Sequence, residues 1–357
     1  MRFAVIMSGG KGKRFWPLSR GYRAKQLVKL IEGKTLLELT VERLLPVFPE
    51  DHIMVVTQAM QVDATKEVLS RWPGIRILVE PVGKNTAPCI AFATTYAAHH
   101  HGDCVLTFLP ADHFIRKVKT FQEILAATAE FAGKSDRVVT IGIKPDRPAT
   151  GYGYIEVGQV VDRVDGKDFF NVERFTEKPT LDVAREYLAS GRYLWNAGIF
   201  CFSASVMLDE LKQYLPGISA TFESFRQFYG TETERERLLA CYQEVDEISI
   251  DYGVMEKTRR ACVIPADIGW DDVGSWESFS KYLDSDEQGN RVSGRHIGLE
   301  TRNCIVYSPR QVVATLGIKD LTIVVTDDAI LIADRSRGEE VRRIVDLVES
   351  KGIRDLL

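Results

Sequence analysis

Residues 3–7 form a continuous apolar run that stops at Ser8-Gly9-Gly10, the pattern of a strand buried on both faces that empties into a backbone loop. Thr35 precedes Glu38 by three positions, with Leu39, Val41, Leu44 and Leu45 at helical spacing, which predicts a helix opened by a capping box. Further strands are predicted at 53–56, 75–79 and 105–109, and helices at 63–69 and 87–96. Such alternation implies parallel strands joined by crossover helices that cover both faces, an α/β fold with a mainly parallel sheet. From 151 to about 200 the pattern shifts to the segments 154–157, 169–175 and 195–202, predicting an insertion of strands that walls one side of a pocket. Helices follow at 206–215 and 232–245, the second with the mixed charges of a solvated face. Beyond Gly289 short β-rich runs at 304–307, 312–316, 321–326 and 330–333 precede a helix at 339–348, with Val341, Ile344, Val345 and Val348 on one face. The change of texture divides the chain into a large α/β domain, 1–285, and a small β-rich domain, 286–357, that ends in a helix.

Composition narrows the reading. The 357 residues are 45% hydrophobic and 27% charged, enough to bury a sizeable core in two domains. Lys and Arg number 46 against 50 Asp and Glu, leaving −4, so no global charge draws the chain to nucleic acid or an anionic membrane, and any phosphate must be held locally. The stretch 85–102 lacks charged residues but is too polar and broken for a membrane span. Five apolar residues after Arg2 are too few for a secretory signal, and six cysteines without a C-x-x-C pair argue against disulfides or structural zinc; a cytoplasmic location is expected. His99-His100-His101 resembles a metal cluster, yet adjacent helical residues diverge by about 100° and cannot face one ion, which predicts a surface helix end. Cys89 and Cys201 are expected to be inert core residues.

The candidate chemistry starts in the loop after the first strand. Ser8, Gly9, Gly10 and Gly12 let the backbone approach phosphate oxygens, while Lys11, Lys13 and Arg14 add positive charge. The loop matches neither the dinucleotide fingerprint, since Phe15 stands where its last glycine belongs, nor a P-loop. Asp112 follows the 105–109 strand and so lies at its carboxyl end, where open α/β sheets bind ligands; the alternative is that it caps the next helix.

Nine motifs occur in order: Gly9 to Arg20, Lys25-Gln26, Glu80 to Pro88, Pro110-Ala111-Asp112-His113, Gly151 to Ile155, Phe175 to Pro179, Trp195-Asn196-Ala197-Gly198, Ser249 to Glu256 and Gly269 to Trp276. Together they resemble those of the sugar-1-phosphate nucleotidylyltransferases, and within them the mannose-1-phosphate guanylyltransferases. The resemblance implies a Rossmann-like nucleotidyltransferase domain and a magnesium-dependent transfer of GMP from GTP to mannose-1-phosphate, with release of pyrophosphate. It assigns Asp112 and Asp272 to Mg2+; Asp271, which stands where a Ser-like residue is expected, is the alternative to Asp272. It places Arg14 and Lys25 on the triphosphate and Lys178 on the sugar phosphate. Ser8, Gly9, Gly10, Gly12, Glu80, Asn85 and Thr86 are expected around the nucleotide, and Gly151, Gly153, Glu177, Asn196 and Asp251 around the sugar, with Tyr152 or Tyr154 as walls. Lys11 and Lys13 are read as surface charges, and Trp270 and Trp276 either stack on a ligand or anchor their loop.

The small domain is expected, by the same resemblance, to be a fragment of left-handed β-helix and to take part in a homodimer. No room is seen after Leu357 for the isomerase domain of longer bifunctional relatives, so that activity is not expected. Two rivals stay open: the same chemistry with UTP or dTTP and glucose-1-phosphate, and a regulatory nucleotide-sugar-binding protein without catalysis.

Overall fold

The computed structural model describes residues 1–10, 12–31 and 33–357; Lys11, expected as a surface charge, lies outside the described residues. A nine-stranded sheet forms the large domain. Its strands are β1 (Arg2–Ser8), β2 (Ile53–Gln58), β3 (Arg76–Glu80), β4 (Val105–Pro110), β5 (Val138–Ile143), β6 (Tyr154–Val164), β7 (Lys167–Thr176), β8 (Tyr193–Ser203) and β9 (Ala261–Ala266), in the spatial order β3-β2-β1-β4-β8-β5-β9-β7-β6. Strands β3, β2, β1 and β4 run parallel, joined through α1 (Leu36–Leu44), α2 (Val62–Leu69) and α3 (Thr86–His101). The capping box at α1 forms in both directions between Thr35 and Glu38.

Alternation along β1 explains the two-sided cover. Ala4 and Ile6 pack into the core on one face with Val55 and Leu109, while Phe3 and Val5 pack on the other with Val56, Leu106 and Phe108. Burying both faces leaves no polar side on which to read an alternating pattern, which is why the centres of β1, β4 and β5 are mostly apolar, with only a buried Thr in β4 and in β5.

The strands expected as an insertion instead extend the main sheet. β8 lies between β4 and β5, antiparallel to both, and β7 and β6 form an antiparallel edge beyond β9. Elements outside the predicted set include β5, β9, α4 (Val118–Ala132), α5 (Leu181–Ser190), α7 (Pro216–Phe225), the short helix at Trp276–Ser280 and the strand at Arg291–Leu299; α6 (Ala204–Tyr214) and α8 (Glu234–Glu244) fall where helices are expected. The histidine tract does sit at the exposed end of α3. Among the described residues, no helix is long and apolar enough to cross a membrane.

In the small domain β10 (Arg291–Leu299), β11 (Ile305–Leu316) and β12 (Leu321–Val325) pair in parallel through short turns, and β13 (Ile330–Asp334) closes the sheet antiparallel to β12. Parallel neighbours joined without crossover helices are the arrangement of a β-helix coil. At the junction between the domains lies α9 (Trp276–Ser280), and after β13 the chain turns into α10 (Val341–Ser350). Val341, Val345 and Val348 of α10 are buried, but Ile344 is 39% exposed and does not belong to that face.

The two domains share one apolar core. Phe15, Trp16, Val273, Trp276 and Phe279 pack against Tyr307, Val324, Leu331 and the three valines of α10. Arg20, buried in the large domain, donates to both carboxylate oxygens of Asp328 at 2.9 and 3.0 Å. Trp276 is the centre of this junction: fully buried, its ring lies 5.1 Å from Phe15 and 5.4 Å from Tyr307, so it anchors its loop. Trp276→Ala is expected to cost about 3–5 kcal/mol, measured as a lower urea midpoint; a midpoint equal to wild type contradicts a shared core.

Candidate active site

Asp112 lies two residues beyond β4. The helix that follows it, α4, begins at Val118 with Lys117 at its N-cap, so Asp112 is not a helix cap. The short strand Phe114–Ile115 pairs antiparallel with Trp270–Asp271, and this ladder brings the Gly269 to Gly274 loop, distant in sequence, beside Asp112. Lys25 then joins the two. Its ammonium contacts Asp112 Oδ2 at 2.8 Å and donates to the carbonyls of Asp272 and Val273, both at 2.9 Å. Three donors meet three acceptors, and Lys25 is 5% exposed. Gly12 permits this: at φ 61° it is left-handed, and a Cβ there would fall 2.8 Å from Lys25 Cβ.

Asp271 and Asp272 point to different surroundings. Asp271 Oδ1 accepts from the Val273 amide at 2.7 Å and its Oδ2 is 3.8 Å from Lys281 Nζ. Asp272 Oδ1 accepts from the Tyr152 hydroxyl at 2.8 Å, and Asp272, unlike Asp271, lines a cavity of about 350 Å³ together with Gly12, Arg14, Lys25 and Asp112. Val273, the next residue, holds φ 44°, a strained value for a β-branched residue.

The protonation states follow from burial and neighbours. Burial pushes the Asp112 pKa up, but the charge and hydrogen bond of Lys25, together with His113, outweigh it and hold the carboxyl below its usual range. Burial drives His113 down to about 4 against the pull of Asp112 and Asp272, leaving the ring neutral, and Trp270 donates to its Nδ1 at 3.1 Å. Burial first, then Asp272, raises the Tyr152 phenol, which stays a donor.

A second cluster gathers most of the expected sugar residues. The Asn196 amide donates to Gly153 O at 2.8 Å, and a Cβ on Gly153 would fall 2.6 Å from Glu177 Oε2. Asn196 Nδ2 donates to Asp251 Oδ1 at 2.9 Å, while its Oδ1 accepts from Thr140 and the Gly198 amide, fixing the side chain. Lys178 pairs with Glu177, and its amide donates to Tyr152 O. Burial, reinforced by Glu177, raises the Asp251 carboxyl to about 7. Tyr152 therefore ties this cluster to Asp272 through its two ends. Tyr154 is fully buried core and not a wall, and Gly151 is exposed with open space about it, so nothing there requires glycine.

The expected nucleotide residues divide. Ser8, Gly9 and Gly10 present carbonyls to Gln26, Gln58 and Gln61. Glu80, at the end of β3, lies 3.3 Å from where a Gly9 Cβ would sit and accepts from the Tyr242 hydroxyl at 3.0 Å. Asn85 and Thr86 do not line the Asp112–Asp272 cavity: Asn85 Oδ1 accepts from the Thr86 amide, and Thr86 Oγ1 accepts from the Ile250 amide. Both side chains shape the start of α3. Lys13, expected as a surface charge, pairs at the surface with Asp346 at 2.7 Å. Sequence reasoning missed His113, Tyr152 as the Asp272 partner, and Gln26; each lies inside a motif, beside a residue that was singled out.

Comparison with known proteins decides the family. Residues 3–289 match the nucleotidyl transferase model, and residues 294–347 match a mannose phosphate isomerase/GMP-like β-helix domain. The mannose-1-phosphate guanylyltransferase ManC of Salmonella typhimurium is 38% identical over 98% of this chain and 74% of its own length. The chain belongs to the mannose-1-phosphate guanylyltransferase family. It is a nucleotidyltransferase. The Escherichia coli K12 mannose-1-phosphate guanylyltransferase is likewise 38% identical, over 98% of this chain and 74% of its own. A crystal structure from Thermus thermophilus, described as a mannose-1-phosphate geranyltransferase, has a TM-score of 0.85 and 37% identity, covering 98% of this chain and 99% of that one. The family's catalytic domain and β-helix domain are thus both present.

Two outcomes test the site. Lys25→Met leaves Asp112 and two carbonyls without their donor and is expected to cost about 3–5 kcal/mol in denaturant unfolding; a loss under about 1 kcal/mol contradicts the three-acceptor arrangement. Burial raises the Glu80 carboxyl from 4.5 to about 7, with the Tyr242 bond partly offsetting it. The protonated form favours folding, so its contribution is whole below about 4.5 and is lost as pH rises through about 7. Glu80→Gln, which cannot ionise, is expected to flatten the fall in Tm across that window by a few degrees relative to wild type; parallel curves refute the shift.

Proposed function

We propose that this enzyme transfers GMP from GTP to α-D-mannose 1-phosphate, yielding GDP-mannose and pyrophosphate, with Mg2+ as its cofactor. The observation that carries the reading is that Asp112 and Asp272, far apart in the large domain's sequence, meet in one cavity beside Gly12 and Arg14 of the glycine loop, with Tyr152 joining Asp272 to the cluster of Glu177, Lys178, Asn196 and Asp251. Relatives bearing the guanylyltransferase name support GTP and the mannose ester as substrates.

Two carboxylates in a shared cavity are hard oxygen donors, the set that suits magnesium when substrate phosphates and water complete its shell. Asp112 and Asp272 would hold the ion, which supplies positive charge for the triphosphate when bound. Lys25 sets the spacing of the two carboxylates. Direct contact between Lys25 and a phosphate requires it to release one of its three acceptors, so its role is to position Asp112 and Asp272. Arg14, paired with Glu339 at 3.1 Å on the rim, neutralises phosphate charge, and Lys178 holds the sugar phosphate.

The nucleophile needs little help. A phosphate monoester has its second pKa near 6 and is largely ionised at neutral pH, so a general base is unnecessary. The cavity agrees: His113 is neutral with Nδ1 occupied, and Tyr152 is held as a donor. Asn196 and Asp251 offer the donors and acceptors that sugar hydroxyls require, and their mutual bond fixes the direction of each.

We also infer a cytoplasmic homodimer. Ile297, Leu299, Leu316, Ile330 and Ile332 leave much of their apolar surface exposed on the small domain, a face suited to a second copy of the chain.

The test is pyrophosphate release with magnesium from GTP, ATP, UTP, CTP or dTTP against mannose-1-phosphate or glucose-1-phosphate. Release dominated by GTP with mannose-1-phosphate is expected; another productive pair replaces the substrates, and silence from folded, nucleotide-binding protein favours the non-catalytic rival. Asp272→Asn is expected to lower kcat by about a hundredfold or more, and Asp271→Asn by less than about fivefold. The reverse ranking moves the metal role to Asp271.

A further inference from the structure

The cavity at Asp112 and Asp272 has a wall supplied by the other domain. Val341, Val345 and Val348 seat α10 on Phe15 and Trp16 of the glycine loop, and two ion pairs fix its position: Lys13 to Asp346 at 2.7 Å and Arg14 to Glu339 at 3.1 Å. The same docking places Arg342 in the lining of the cavity, beside the carboxylate pair.

The cations of that lining are unequal. Lys25 has its three donors filled, Lys13 is matched by Asp346 and Glu349, and Arg14 is matched by Glu339. On the small domain, Arg337 and Arg343 are both taken by Glu340. Arg342 lies next to Arg343 in sequence but faces the cavity, and among the described residues it has no ion pair or side-chain hydrogen bond. A polyphosphate brought beside two carboxylates needs cations, and Arg14 must leave Glu339 to serve as one. Arg342 meets that need without breaking an existing pair, and its planar fork of donors matches phosphate oxygens.

From this placement we infer that Arg342 is a phosphate-binding residue of the nucleotide site, delivered by the C-terminal domain to the triphosphate. The inference rests on the nucleotide reading above and deepens it. The small domain then completes the active site, and the α10 ion pairs serve to aim Arg342.

The experiment measures GTP and mannose-1-phosphate KM for wild type, Arg342→Ala, Arg342→Lys and Arg343→Ala, with calorimetric binding of inorganic tripolyphosphate in magnesium as a readout independent of turnover. Arg342→Ala is expected to raise the GTP KM and the tripolyphosphate Kd by about tenfold each, with the mannose-1-phosphate KM and Tm unchanged. Arg342→Lys is expected to recover part of the loss, and Arg343→Ala to behave as wild type. GTP KM and tripolyphosphate Kd within twofold of wild type in Arg342→Ala overturn the inference, as does a loss shared equally by both substrates and by Tm. Turnover with a nucleotide other than GTP overturns the base assignment alone, because tripolyphosphate binding still decides the role of Arg342.

Discussion

The Lys25 ammonium sits almost wholly out of water, and a charge so placed costs several kcal/mol unless each of its donors is matched. Its matches come from three places: the Asp112 carboxylate at the end of β4, and the carbonyls of Asp272 and Val273 in the loop between β9 and α9. Satisfying one buried charge therefore fixes the distance between two segments that the chain order leaves far apart. Gly12 must be glycine for the loop after β1 to pass Lys25 so closely, which ties that loop's backbone to the same point. The carboxylate pair, the glycine loop and the strained turn at Val273 are consequences of that one arrangement.

The same logic reaches the second domain. Phe15 and Trp16 follow the basic residues of the glycine loop directly and are the large domain's contribution to the core under α10. A loop that holds phosphate by its backbone has little stability of its own, since its glycines bury nothing. Packing its downstream aromatics against Trp276, Tyr307 and the α10 valines supplies what the glycines do not. The C-terminal domain is thus part of the framework of the glycine loop, and Tyr152 does the corresponding work for the second cluster by holding Asp272 with its hydroxyl and Lys178 with its carbonyl.

What the sequence discloses follows from how local each feature is. The β1 run, the Thr35–Glu38 box and the position of Asp112 at a strand end depend on neighbours within a few residues, and all are found as expected. Strand direction is not local: β8 is buried on both faces and reads the same whether it runs with β4 or against it, so its antiparallel placement between β4 and β5 is invisible in its apolar pattern. Side-chain partners are also non-local. The Lys25 motif marks the residue without revealing that its donors turn to Asp112 and two carbonyls, and the adjacent Asp271 and Asp272 reach different distant partners, Lys281 and Tyr152, that no local pattern shows. Arg342 carried no signal, because it joins the site only through the docking of a helix from another domain.

The central claim is that Asp112 and Asp272 form one divalent-cation site held in register by Lys25. A crystal structure of the protein with magnesium, a non-hydrolysable GTP analogue and mannose-1-phosphate tests it most directly. The account predicts one ion bonded to both carboxylates at roughly 2.0–2.1 Å, with Asp271 still turned toward Lys281. An ion held by Asp271, or by phosphates alone with Asp112 and Asp272 more than about 4 Å away, would contradict it.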